Sequence, residues 1–152
     1  MARNPGPGAS APDFELEGTE GRFRLSACRG RPVVLLFYPA DGTLVCTRQF
    51  CSYRDHATEL AALDAAVVGI APQDVCSHER FRAAHALTVP LLADPGSRVA
   101  RAYSVATRGG RTKRATFVID GEGIVRNRHE NLLSLTWDSV AAIRAALERL
   151  EH

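Results

Sequence analysis

At 152 residues, with 45% hydrophobic and 24% charged residues and a net charge of +2, the chain has the composition of a single soluble globular domain. A domain of this length buries about 70% of the surface its unfolded chain exposes, enough for a full core, so disordered, collagen-like and disulfide-scaffold classes are excluded. No apolar run approaches the ~20 residues of a membrane span, and +2 does not by itself call for a nucleic acid or a membrane, although 18 of the 19 basic residues are Arg.

Residues 1–12 are rich in Gly, Pro and Ala and lack the apolar stretch of a secretory signal, so residues 1–9 are expected to be a flexible, solvated lead-in to a cytoplasmic domain. Phe14–Leu16 and Phe23–Leu25 alternate apolar with polar around Gly18 and Gly21 and read as a short β-hairpin. Val33–Tyr38 is an uninterrupted apolar run between Pro32 and Pro39, which suits a central strand buried on both faces. The turn Asp41-Gly42-Thr43 leads into Leu44–Leu63, which is mostly helix-compatible, and Ala66–Ile70 reads as a second buried strand.

Ser77 is expected to cap a helix running to about Ala86, with Phe81 and Ala84 inward. Leu91-Leu92 is a brief strand and Val99–Tyr103 a short helix. Arg114–Ile119 and Gly123–Arg126 flank Asp120-Gly121, the strongest hairpin signal in the chain. Thr136 is expected to cap a last helix whose stripe is Val140, Ile143, Leu147 and Leu150. Strands alternating with helices in this order predict one α/β domain, a mixed central sheet flanked by helices behind an N-terminal hairpin.

Cys28, Cys46, Cys51 and Cys76 sit in a chain able to build its own core, which points to reactive or buried thiols rather than staples. Cys46 follows a buried strand and a turn and falls in the first turn of a helix. Unpaired N–H groups and the positive end of the helix dipole favour a thiolate there. Placement alone leaves a structural cysteine as an equal alternative.

Four stretches bear on that choice: Ala11-Pro12-Asp13-Phe14; the Pro39…Thr43…Cys46 spacing; Ser77-His78…Phe81…Pro90-Leu91-Leu92-Ala93-Asp94; and Arg114-Ala115-Thr116-Phe117-Val118-Ile119-Asp120. From about Ser10 to Ile143 the chain resembles the peroxiredoxins, in particular the bacterioferritin-comigratory-protein/PrxQ branch. The resemblance implies a thioredoxin-like fold and an antioxidant thiol peroxidase acting on hydrogen peroxide and small organic hydroperoxides. It implies that Cys46 is the nucleophile that becomes a sulfenic acid. Thr43 and Arg114 would hold the peroxide with the Cys46 N–H, and Pro39 would shield the sulfur. Read without it, Thr43 could be only a helix cap and Arg114 only an ion-pair partner. Gln49 stands where many peroxiredoxins carry Glu.

The spacing of Cys51 resembles the resolving cysteine of one PrxQ subtype, implying a Cys46–Cys51 disulfide that thioredoxin or a similar dithiol reduces. In an unbroken helix the two Cα atoms lie roughly 8.6 Å apart, beyond the ~6.8 Å upper range of a disulfide, so that bond requires α-helical turns to unwind. Cys76, Cys28 or an external thiol stay open as resolvers. No metal, haem or flavin is implied: the cysteine spacing is no zinc knuckle, and His56, His78, His85 and His129 form no short ligand pair. The basic run Arg108–Arg114 reads as a solvated loop rather than a nucleic-acid site, and a monomer or weak homodimer is chemically sufficient. The alternatives are a thioredoxin-like disulfide oxidoreductase, whose usual Cys-x-x-Cys is broken here by Gln49, and a redox-sensing or chaperone-like binding protein without turnover.

Overall fold

The apolar run at residues 33–38 forms β3 (Val33–Phe37), buried along its whole length, in the computed structural model, which describes residues 5–131 and 135–151. Side chains alternate across a strand. Val33, Leu35 and Phe37 therefore join one core layer, and Val34, Leu36 and Tyr38 the other. An uninterrupted apolar run is what a strand covered on both faces needs.

β3 pairs in parallel with β4 (Ala66–Ala71) and antiparallel with β6 (Ala115–Ile119), in the registers Leu35↔Val68 and Leu35↔Phe117. With β1 (Glu15–Gly18), β2 (Gly21–Arg24), β5 (Leu91–Ala93) and β7 (Val125–Glu130) the sheet has seven strands in the order β2-β1-β5-β4-β3-β6-β7. One layer is closed by α1 (Leu44–Asp55), α2 (Ala57–Ala61), α3 (Val75–His85) and α5 (Val140–Glu148), which contribute Phe50, Tyr53, Leu60, Phe81, Val140 and Ile143. The other is closed by α4 (Arg98–Ala102), with Phe14, Leu16 and Leu25 around Tyr103 and Phe117. This mixed sheet with helices on both faces is the thioredoxin-like architecture expected.

Several local expectations need correction. The helix expected over residues 44–63 is two helices, parted at His56 (φ −113°, ψ 32°), and the break lets Leu60 enter the same layer as Tyr53. Asp74, not Ser77, caps α3: its carboxylate accepts the Ser77 N–H at 2.8 Å, which frees the Ser77 hydroxyl for another partner. Ala84 faces solvent, and the inward residues of α3 are His78 and Phe81. Likewise Ser139, not Thr136, caps α5 by accepting from the Ala142 N–H, while Thr136 Oγ1 accepts from Asn131 Nδ2. The expected lead-in is, over its described part, bonded to the sheet: the Gly8 N–H donates to the Val125 carbonyl and the Val125 N–H to that of Ala9, both at 2.8 Å.

Candidate active site

β3 and α1 create the site between them. Tyr38 directly follows β3, its N–H still donating to the Ile70 carbonyl at 3.0 Å, and Pro39–Thr43 turn the chain into α1. Gly42 takes φ +79°, which glycine adopts without steric cost. Thr43, extended at ψ 155°, is the N-cap: its Oγ1 accepts from the Cys46 N–H at 3.3 Å and donates to the Ala40 carbonyl at 3.4 Å. Cys46 is thus the third residue of α1, at the positive end of the helix dipole, and no acidic residue occupies that first turn.

The sulfur of Cys46 is buried among the residues of the α1 layer. Its polar neighbour comes from across the sheet. Arg114 immediately precedes β6, and Ala115 opposite Phe37 sets that end of β6 beside the turn. The buried guanidinium donates from Nη2 to Cys46 Sγ at 3.1 Å and from Nη1 to Gln49 Oε1. The guanidinium is thus a charged donor held against a buried sulfur, with little water present to screen the contact. Gln49 Nε2 donates to the Tyr53 hydroxyl at 3.0 Å, and that hydroxyl donates to the Asp138 backbone carbonyl at 2.8 Å.

A second polar group holds the turn itself. The Asp41 carboxylate accepts from the hydroxyls of Tyr38 (2.8 Å) and Ser77 (2.7 Å), and His78 Nδ1 lies 2.6 Å from its Oδ2. His78 Nε2 lies 3.0 Å from the Leu92 carbonyl oxygen, so a buried imidazole ties the turn to β5. Gln73 adds a clasp, accepting from the Asp41 N–H at 3.1 Å and donating to the Pro39 carbonyl at 3.4 Å. Burial works against the charge of Asp41, but the bonds from His78, Ser77 and Tyr38 outweigh it and hold the carboxyl below its ordinary value. Burial, reinforced by the Asp41 charge, pushes the Tyr38 phenol well above its own.

Of the residues expected at the site, Cys46 meets Thr43 and Arg114 directly, Gln49 joins them through Arg114, and Pro39 sits half-buried at the start of the same turn. Cys51 lies farther along the unbroken α1, half-buried against the layer that holds Cys46. Cys76 is exposed on α3, and Cys28 packs against the opposite face of the sheet from Cys46, its thiol pushed up by burial. All four thiols are free. The cap role of Thr43 is real, and its hydroxyl also stands at the mouth of the turn.

Sequence reasoning missed Tyr53 and gave Asp41 only a turn. A signal for Tyr53 was present: Cys46, Gln49, Phe50 and Tyr53 follow i, i+3, i+4, i+7, so a polar Gln–Tyr pair at i, i+4 lies on the buried stripe. The partnership of Asp41 with His78, 37 residues away, has no local signal.

The family model described as AhpC/TSA matches residues 7–128 of this chain. Peroxiredoxin Q, chloroplastic, of Oryza sativa subsp. japonica is 39% identical over 127 residues, 82% of this chain and 58% of the rice protein. Peroxiredoxin Bcp of Bacillus subtilis (strain 168) is 38% identical over 124 residues, 76% of this chain and 79% of its own. Among solved structures, the peroxidoxin BcpB of Mycobacterium tuberculosis superposes with a TM-score of 0.79 at 35% identity, covering 97% of both chains. The chain thus spans less than two thirds of the length of the rice relative, and most of that of the two bacterial ones.

Proposed function

The chain belongs to the AhpC/TSA family, in its peroxiredoxin Q/Bcp branch, and on that premise we propose that it is a thiol-dependent peroxidase with Cys46 as its nucleophile. The observation that carries the assignment is the Arg114 guanidinium 3.1 Å from a buried sulfur in the first turn of α1. A disulfide oxidoreductase has no need of a cation spent on one buried sulfur.

In the first step the Cys46 thiolate attacks the distal oxygen of a hydroperoxide. The S–O bond forms as the O–O bond breaks, the alcohol or water leaves with a proton, and the sulfur becomes a sulfenic acid. Negative charge moves from sulfur to the leaving oxygen, and a cation already in place beside the sulfur serves both ends of that shift. Thr43 Oγ1 and the Cys46 N–H, now bonded to each other at 3.3 Å, are the groups that peroxide oxygens would engage, and Pro39 limits water. Exposed Leu44, two residues from the nucleophile, suits the organic part of a small alkyl hydroperoxide.

In the second step the Cys51 thiol attacks the sulfenic sulfur, an S–S bond forms and water leaves. An external dithiol, thioredoxin or one like it, then reduces the bond by exchange. Because both cysteines lie on α1, the second step needs α1 to open between them. A reducing compartment such as the cytoplasm suits a cycle of free thiols, and a resolver on the same chain lets a monomer complete it.

The experiment is one equivalent of hydrogen peroxide on reduced protein, followed by intact mass and non-reducing peptide mapping. The expected product is a monomer lighter by two hydrogens, with Cys46 joined to Cys51. One added oxygen at Cys46 without a disulfide makes resolution external, a bond to Cys76 moves the resolver, and no change refutes the peroxidase.

A further inference from the structure

We propose that Tyr53 is a positioning residue for peroxide reduction, acting through Gln49 to fix the Arg114 guanidinium on Cys46; the inference rests on the peroxidase reading. The argument is one of hydrogen-bond polarity. The Asp138 backbone carbonyl can only accept, so the single phenolic proton of Tyr53 is committed to it, at 2.8 Å. Burial pushes this phenol well above its ordinary value, so the proton stays on. The Tyr53 oxygen therefore offers only lone pairs to Gln49, and only the amide NH2 can meet them, as Nε2 does at 3.0 Å. An amide has one oxygen and one NH2 group. With the NH2 spoken for, Oε1 must face Arg114, which can only donate.

The consequence reaches the sulfur because the guanidinium is planar and rigid. Holding Nη1 on Gln49 fixes Nη2 on Cys46 Sγ, at 3.1 Å. A neutral amide also holds the arginine without cancelling its charge, as a carboxylate at position 49 would. The whole relay is buried, Gln49 being 1% and Tyr53 0% exposed, so water cannot substitute for a missing member. Without the hydroxyl the amide NH2 is left unpaired, and any rotation that finds it a new partner draws Oε1 away from Arg114.

Tyr53→Phe tests this cleanly, because the edge-on ring contact with Phe50 (centroids 5.4 Å apart) is kept. The readout is the rate of the first oxidation of Cys46 by hydrogen peroxide, by rapid quench and mass counting, in the wild-type and Gln49→Glu backgrounds, with melting temperatures alongside. A carboxylate has two equivalent oxygens and no amide to orient. Tyr53→Phe should therefore slow oxidation about fivefold when residue 49 is Gln, and by less than about twofold in the Gln49→Glu background. Equal losses in both backgrounds mean a merely structural tyrosine and overturn the inference, as does no loss with Gln49. If wild-type Cys46 is not oxidised at all, the peroxidase reading falls first and takes the inference with it.

Discussion

Phe50 lies between the two cysteines proposed to join, and its ring decides how readily α1 opens. The ring is fully buried, 4.6 Å from that of Tyr38 and 5.4 Å from that of Tyr53. It fills the space over Gly69, where an added Cβ would come within 2.9 Å of Phe50 Cζ. Phe50→Ala should cost the reduced protein about 3–5 kcal/mol, the usual penalty for deleting a well-packed phenylalanine. Closing a Cys46–Cys51 bond unwinds the turn that carries Phe50, so the oxidised protein has already given up part of this packing. If it has lost about half, the substitution costs that form ~2 kcal/mol less, and the disulfide becomes harder to reduce by about 40 mV. Urea unfolding of the reduced and oxidised proteins, with equilibration against a dithiol couple, measures both sides of the cycle. Equal destabilisation of the two forms and an unmoved potential would refute the coupling between helix opening and disulfide formation.

Cys51→Ser should still lose its peroxidatic thiol in one turnover and then stall as the sulfenic or over-oxidised acid, read by mass; sustained turnover with a dithiol would refute Cys51 as the resolver. Arg114→Met should slow the first oxidation on the order of 100-fold, since it removes a buried charged donor from the reacting sulfur. A loss below about tenfold with a large drop in melting temperature would make Arg114 structural. Asp41 titrates below its ordinary value in the folded protein, so its stabilising contribution is present above that value and disappears as pH falls through the lowered one. Asp41→Asn should therefore cost about 1–3 kcal/mol at pH 7, with the deficit shrinking below about pH 4 in urea titrations; a deficit independent of pH would show that the charge of Asp41 is not what holds the turn.

Some of this protein was settled by local chemistry alone. A six-residue apolar run bounded by prolines has one stable use, a strand covered on both faces, and β3 is that strand. A cysteine three residues past a Thr cap must sit at the positive end of a helix, and Cys46 does. Family resemblance carried Arg114 to the site, although nothing local distinguishes it from its exposed neighbour Lys113. Where two local solutions are nearly equal, packing chose. Asp74 and Ser77 are both good caps, and Asp74 took the role while the Ser77 hydroxyl turned to Asp41. Residues 44–63 contain no Pro or Gly to mark the break at His56.

What the sequence by itself determined is most of the elements, their order and the place of Cys46 in the first turn of a helix, because periodicity, turn chemistry and helix capping act within a few residues of each position. What only the tertiary structure decided is who faces whom. Antiparallel pairing of β3 with β6 delivers Arg114 to the sulfur from 68 residues away. The segment that leads into α5 delivers the Asp138 carbonyl that orients Tyr53, 85 residues away. Such partnerships depend on sheet register and on the direction of single protons, and both are fixed only when the layers close.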